Sequence, residues 1–143
     1  MNSLRRVSAH LFVLVLLGAA AACGSDSPTS PSGEDAPFST TDLRVGTGAT
    51  VTNGRNVTLT YTGWLYDSSR PENKGTRFDS GQIGFVVGTN QVVRGLDMGV
   101  VGMRVGGQRR IVVSSELGYG SAGRGPVPPN SAMVFDVEII DAQ

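Results

Sequence analysis

One histidine and one cysteine in a chain of 143 residues exclude a good deal of chemistry at the outset. They are His10 and Cys23, both ahead of any segment patterned like a folded domain. A Ser-His or Cys-His nucleophile therefore has no imidazole to activate it, and a zinc site of the usual ligands cannot be assembled. A lone cysteine cannot close an internal disulfide. Net charge is absent too: Lys and Arg number 12, Asp and Glu number 12. No basic surface is on offer to phosphates, and nucleic acid is not expected as a partner. Aromatic residues make up only 6% of the chain, so each one matters. Glycine is abundant, at 20 residues, mostly punctuating short apolar runs. That is the composition of a turn-rich sheet protein rather than a helical bundle. Any reaction run here must need little acid-base chemistry, with no metal and no cofactor.

No apolar run reaches the roughly 20 residues that cross a bilayer. The longest, Leu11 to Leu17, follows Arg5 and Arg6 and precedes the small residues Gly18 to Ala22. This charged, apolar, small order is that of a secretory signal over residues 1–22. Cleavage before Cys23 leaves an N-terminal cysteine, and lipid attachment is its natural use. The stretch resembles a bacterial lipoprotein signal, with Ala20 where that pattern prefers leucine. The alternative is ordinary cleavage after Ala20-Ala21-Ala22, giving a soluble periplasmic or secreted protein with a free thiol. Residues 24–37, GSDSPTSPSGEDAP, carry almost nothing apolar to bury. Residues 23–37 are therefore expected to be a lipidated cysteine and a flexible tether, and residues 38–143 one domain of about 100 residues.

Within that domain Val57, Leu59 and Tyr61 alternate with Thr58, Thr60 and Thr62, the period of a half-buried strand, after an Asn53-Gly54 turn signal. Phe85 to Val87, Arg109 to Val113, and alternating Met133, Phe135, Val137 and Ile139 also read as strands. Val93, Leu96, Val100 and Met103 recur at three- and four-residue steps, one apolar face of a helix. The fold class is α+β: a curled antiparallel sheet wrapped around one short helix.

Seven segments recur in a telling order: YTGWL, FDS, FVVG, VVRGLD, GYG, VPPN and VFDVEI. Singly, each has an ordinary reading as a core aromatic, a turn or an amphipathic helix. Together, from about Leu43 to Ile140, they resemble the FKBP-type peptidyl-prolyl cis-trans isomerases. The resemblance implies an FKBP-like fold and a pocket formed by Tyr61, Phe78, Asp79, Phe85, Val92, Val93, Leu96, Tyr119, Val127 and Phe135. Of these, Val93 N–H and the Tyr119 hydroxyl would hold substrate carbonyls, Asp79 beside the Tyr61 hydroxyl would set a polar wall, and the others would bind the prolyl group. The implied partners are proline-containing polypeptide clients and macrolide ligands, with the membrane reached through a lipid on Cys23. The runner-up is a non-catalytic module that grips proline segments or macrolides as a chaperone.

The chain departs from that family pattern in three places. Leu96 stands where the family usually has a tryptophan floor, and Ile83 where it often has phenylalanine. The loop from Gly120 to Val127 is a residue shorter than in compact members. A longer connection, DSSRPENKGT from Asp67 to Thr76, is polar throughout and is expected to project into solvent. A third reading, a carboxylate hydrolase using Asp79 and Glu116, has little behind it, because nothing in the sequence supplies a second carboxylate at a defined separation from Glu116.

Overall fold

The computed structural model describes residues 33–143. The expected signal over 1–22, Cys23 and the linker as far as residue 32 lie outside the described residues. Five strands form one sheet: β1 (Ser39–Arg44), β2 (Asn56–Tyr66), β3 (Lys74–Val86), β4 (Gln108–Val113) and β5 (Met133–Ala142). Their order is β1-β4-β5-β2-β3, every pair antiparallel. One helix, α1 (Arg94–Gly99), packs on the sheet, chiefly against β4. This is the expected α+β architecture.

The period-2 pattern explains which face of the sheet is covered. Val57 and Leu59 of β2, Ile111 and Val113 of β4, and Met133, Phe135, Val137 and Ile139 of β5 are buried. Leu96, Val100 and Met103 meet them from the other side. Each fully buried side chain of this kind contributes about 1.5 to 3 kcal/mol. The helix sits unusually close to β4 because its facing residues are glycines. A Cβ on Gly95 would lie 2.4 Å from Val113 Cγ1, and one on Gly99 2.7 Å from Ile111 Cδ1.

The helix is shorter than the apolar spacing predicts. Val93 caps its start and Val100 its end, while Gly102, at φ +86°, turns the chain away so that Met103 is buried from the following turn. Two strands escape the pattern. All six residues of β1 are exposed, and β3 begins eleven residues before Phe85 in a polar run. Both are edge strands; β1 is held by its ladder hydrogen bonds, and β3 adds to its ladder the apolar contacts of Phe78, Ile83 and Phe85.

The Asp67 to Thr76 connection does not simply project into solvent. It turns through Pro71–Asn73 and enters β3 at Lys74. Lys74 Nζ lies 2.8 Å from Asp136 and 3.1 Å from Glu72, and Glu72 in turn lies 3.0 Å from Arg110. Arg110 grips Asp136 with two donors, at 2.7 and 2.9 Å. Burial works to raise the Asp136 carboxyl, but the Arg110 fork and Lys74 outweigh it and leave its pKa below the ordinary value. Charge pairing thus fastens the connection to the outer face of β4 and β5.

The tether boundary also shifts. Residues 33–36, expected to be part of a flexible linker, lie against the domain: Gly33 N–H donates to Pro129 O at 3.2 Å, and Glu34 O accepts from Ala132 N–H at 2.9 Å. Ala36 is buried. Composition misplaces this boundary because the segment docks through polar bonds, with only one methyl group covered.

Candidate functional site

β2 delivers Tyr61 to the helix-facing side of the sheet, two steps along from buried Leu59. Across the β2–β3 ladder stand Phe78 and Asp79, and across β5 stands Phe135. Phe78 and Phe135 meet edge to face, with centroids 5.8 Å apart at 83°, and Tyr61 lies tilted against Phe135, 6.3 Å apart at 58°. The glycine of the YTGWL segment makes this possible. A Cβ on Gly63 would come 2.8 Å from Phe78 Cζ and 2.9 Å from Phe135 Cε1, so only glycine leaves room for both rings.

These rings open onto a cavity of about 670 Å³. Tyr61, Phe78, Asp79, Val92, Val93, Leu96, Tyr119, Val127 and Phe135 all line it. Leu96 forms part of its floor while also belonging to the core. Phe85 is a correction: it is absent from the lining and only 3% exposed. It pairs with Val57 two residues beyond Ile83, which pairs with Leu59, so its ring packs inside the core and Ile83 holds the wall instead.

Sequence reading missed several contributors. Asn90, Gln91, Arg124, Gly125 and Pro126 also line the cavity. The last three come from a tight turn in which Arg124 and Val127 exchange backbone hydrogen bonds at 2.9 Å each. The Gly and Pro content of GRGPVPP was the available signal. Asp97, 4% exposed, accepts from the N–H groups of Gly88 at 2.7 Å and Asn90 at 3.1 Å, fixing the loop that leads into Val92 and Val93. A wider concavity of about 770 Å³ lies beyond Asn90, lined by Arg94, Asp97 and Met98 among others, with no aromatic ring.

Polar groups are few and placed on opposite sides. The Tyr61 hydroxyl donates to Asp79 Oδ2 at 2.7 Å. That bond, helped by burial and by the Asp79 charge, pushes the Tyr61 pKa up to about 12. The phenol is a fixed donor, not an acid. The Tyr119 hydroxyl and Val93 N–H have no hydrogen-bond partner among the described residues. No group of three His, Cys, Asp or Glu side chains among the described residues could hold a metal ion. The arrangement sets an aromatic and aliphatic floor against a polar rim of Asp79, Asn90, Gln91 and Arg124, with the Tyr119 hydroxyl and Val93 N–H turned to no partner among the described residues.

Residues 48–140 match the family model of the FKBP-type peptidyl-prolyl cis-trans isomerases, well over half the chain. The chain belongs to the FKBP family. Members of this family are peptidyl-prolyl cis-trans isomerases, and the residues lining the cavity described above all fall within the matched stretch. The FK506-binding protein of Neisseria meningitidis serogroup A is 40% identical over 105 residues, 69% of this chain and 90% of that protein. FK506-binding protein 5 of Dictyostelium discoideum is 42% identical over 94 residues, 62% of this chain but 6% of that much longer protein. The crystal structure of FkpA from Escherichia coli superposes with a TM-score of 0.64 at 27% identity, covering 81% of this chain and 54% of that one. The FKBP domain is thus nearly the whole of the Neisseria relative and a part of the other two.

Proposed function

We propose that this FKBP pocket accelerates X-Pro isomerisation by enclosing and twisting the bond, in an exported protein held to a membrane by lipid on Cys23. The observation that carries the mechanism is three packed rings beside two uncommitted donors, Val93 N–H and the Tyr119 hydroxyl. Rotation about an X-Pro bond must break amide resonance, against a barrier of about 18 to 20 kcal/mol. Shortening tens of seconds to a millisecond takes four to five powers of ten, or about 5 to 7 kcal/mol. The planar amide is the more charge-separated state. Removing it from water into a pocket of Phe78, Leu96 and Phe135 disfavours it relative to the twisted bond, while shape complementarity favours the twist. Val93 N–H and the Tyr119 hydroxyl hold the flanking carbonyls, and Tyr61 and Asp79 form the polar wall. Proline-containing polypeptides are the clients, and macrolides are ligands of the same cavity.

A protease-coupled assay on a short X-Pro peptide, paired with proline-limited refolding of a model protein, tests this. Acceleration of both is expected. A non-catalytic binder would compete for the peptide and leave both rates alone.

The same assay carries a pH prediction. Residues 33–143 contain no histidine, and Tyr61 keeps its proton far above neutrality. The raised value favours the protonated phenol in the fold, so its contribution to stability is complete below pH 10.0 and is lost towards pH 12. Catalytic efficiency should vary by no more than about twofold between pH 6 and 9. A bell-shaped profile in that window would overturn a mechanism without proton transfer.

For the anchor, mass spectrometry of the membrane fraction should find an acylated Cys23 as the first residue, and Cys23→Ser should release the protein. Two or three acyl chains are needed for stable attachment, since one gives only marginal binding. An unmodified soluble protein would remove the anchor and leave the isomerase reading intact.

A further inference from the structure

The wall of the cavity formed by Tyr119, Arg124, Pro126 and Val127 belongs to a loop that touches the core through Leu117, Tyr119 and Val127. Both roots of that loop are tied to the same four residues, Gly33 to Ala36. At the first root, the Asp35 carboxylate accepts from Ser115 N–H at 2.8 Å and from the Ser115 hydroxyl at 2.6 Å. Ser115 is 7% exposed, and its carbonyl accepts from Gly120 N–H at 2.8 Å, so it grips the residue after Tyr119. At the second root, Gly33 N–H donates to Pro129 O, and Glu34 O accepts from Ala132 N–H. The Glu34 carboxylate reaches sideways to Ser68 N–H at 3.0 Å. The two roots are joined directly by Asn130 N–H donating to Gly120 O at 2.9 Å.

We propose that Asp35 is a positioning residue for isomerisation, and that residues 33–36 form a strap fixing the Tyr119 wall from behind. This rests on the reading of that wall as part of the substrate pocket. Asp35 touches no substrate; it acts through Ser115, whose N–H and hydroxyl it orders at the start of the short turn Ser115–Leu117. Its own N-terminal neighbours run into the tether, so the strap also joins the anchoring segment to the catalytic wall. The Asp35 carboxyl is held below its ordinary pKa chiefly by the Ser115 hydroxyl and N–H, which keeps the strap fastened at neutral pH. A wall held in place spares the substrate the entropy of ordering it, so its release should appear in KM before kcat.

The test uses the full chain with Asp35→Ala and, as the milder change, Asp35→Asn, which keeps one acceptor for Ser115 N–H. Backbone hydrogen exchange should rise about tenfold for amides of residues 115–130 in Asp35→Ala, with β5 amides unchanged. KM for an X-Pro peptide should rise about three- to tenfold while kcat changes less than about twofold, and Asp35→Asn should recover most of both. Exchange that stays at the wild-type level in 115–130, or rises equally in β5, overturns the strap in whichever variant folds. Wild-type turnover reports separately on the isomerase reading, because exchange does not depend on it.

Discussion

Phe135→Ala is expected to lower catalytic efficiency on an X-Pro peptide by about two to three powers of ten, the largest loss of any single pocket substitution. Phe135 is 4% exposed and is the one ring that touches both of the others. Truncating it removes two aromatic pairs, each worth about 0.5 to 1.5 kcal/mol beyond burial, and opens the enclosure to water. A loss of two to three powers of ten is about 3 to 4 kcal/mol, roughly half of the 5 to 7 kcal/mol that the pocket must supply. Tyr119→Phe removes one neutral hydrogen bond, worth about 0.5 to 1.5 kcal/mol, and should cost no more than about tenfold. The order of the two losses is the discriminating result. A Tyr119→Phe loss exceeding that of Phe135→Ala would move the mechanism from enclosure to hydrogen bonding. Because Phe→Ala in a core costs about 3 to 5 kcal/mol of a total stability of about 5 to 15, its rate counts only where circular dichroism shows a folded protein.

Which parts of this protein were legible in its sequence follows from how each part is held. β2 and β5 bury one face, so Val57, Leu59, Phe135 and Val137 print a period of two that needs no partner to be read. β1 buries none of its side chains, and most of β3 before Ile83 is exposed, so their ladder bonds leave no periodic trace. Motif resemblance brought together nine of the cavity's residues and misassigned Phe85, because Ile83 and Phe85 share a face of β3 and only their distance along it separates wall from core. Asp35 and Ser115 lie 80 positions apart, and a carboxylate in a Ser/Pro/Gly stretch looks the same whether it is solvated or docked. Gly63 was inside a quoted motif, yet its role depends on two rings from other strands. Long-range polar docking and close approach are properties of the assembled sheet.

Arg109→Met is expected to be the most damaging change outside the pocket, lowering stability by about 2 to 4 kcal/mol. The guanidinium joins three elements. Its Nε donates to Asp42 of β1 at 2.6 Å, and Nη1 donates to the carbonyls of Gly99 at 2.9 Å and Val101 at 3.0 Å. Those carbonyls are at the end of α1, where the helix cannot satisfy them itself and where positive charge is favoured. Only 14% of the Arg109 side chain is exposed against 51% of Asp42, so the bond to the Gly99 carbonyl is the better shielded and the Asp42 pair is worth little more than a surface pair. Methionine keeps the apolar stem packed, so the loss isolates the head group. At about 4 to 8 °C per kcal/mol for a domain of this size, the thermal midpoint should fall by roughly 10 to 30 °C. Arg109→Lys should recover only part of it, since one ammonium cannot span acceptors arranged for a planar fork. α1 also carries Leu96 into the pocket floor and follows directly on Val93 at its cap, so the variant should bind peptide more weakly even below its midpoint. A midpoint within about 3 °C of wild type would mean that the α1 carbonyls find other donors, and that β4 packing alone seats the helix.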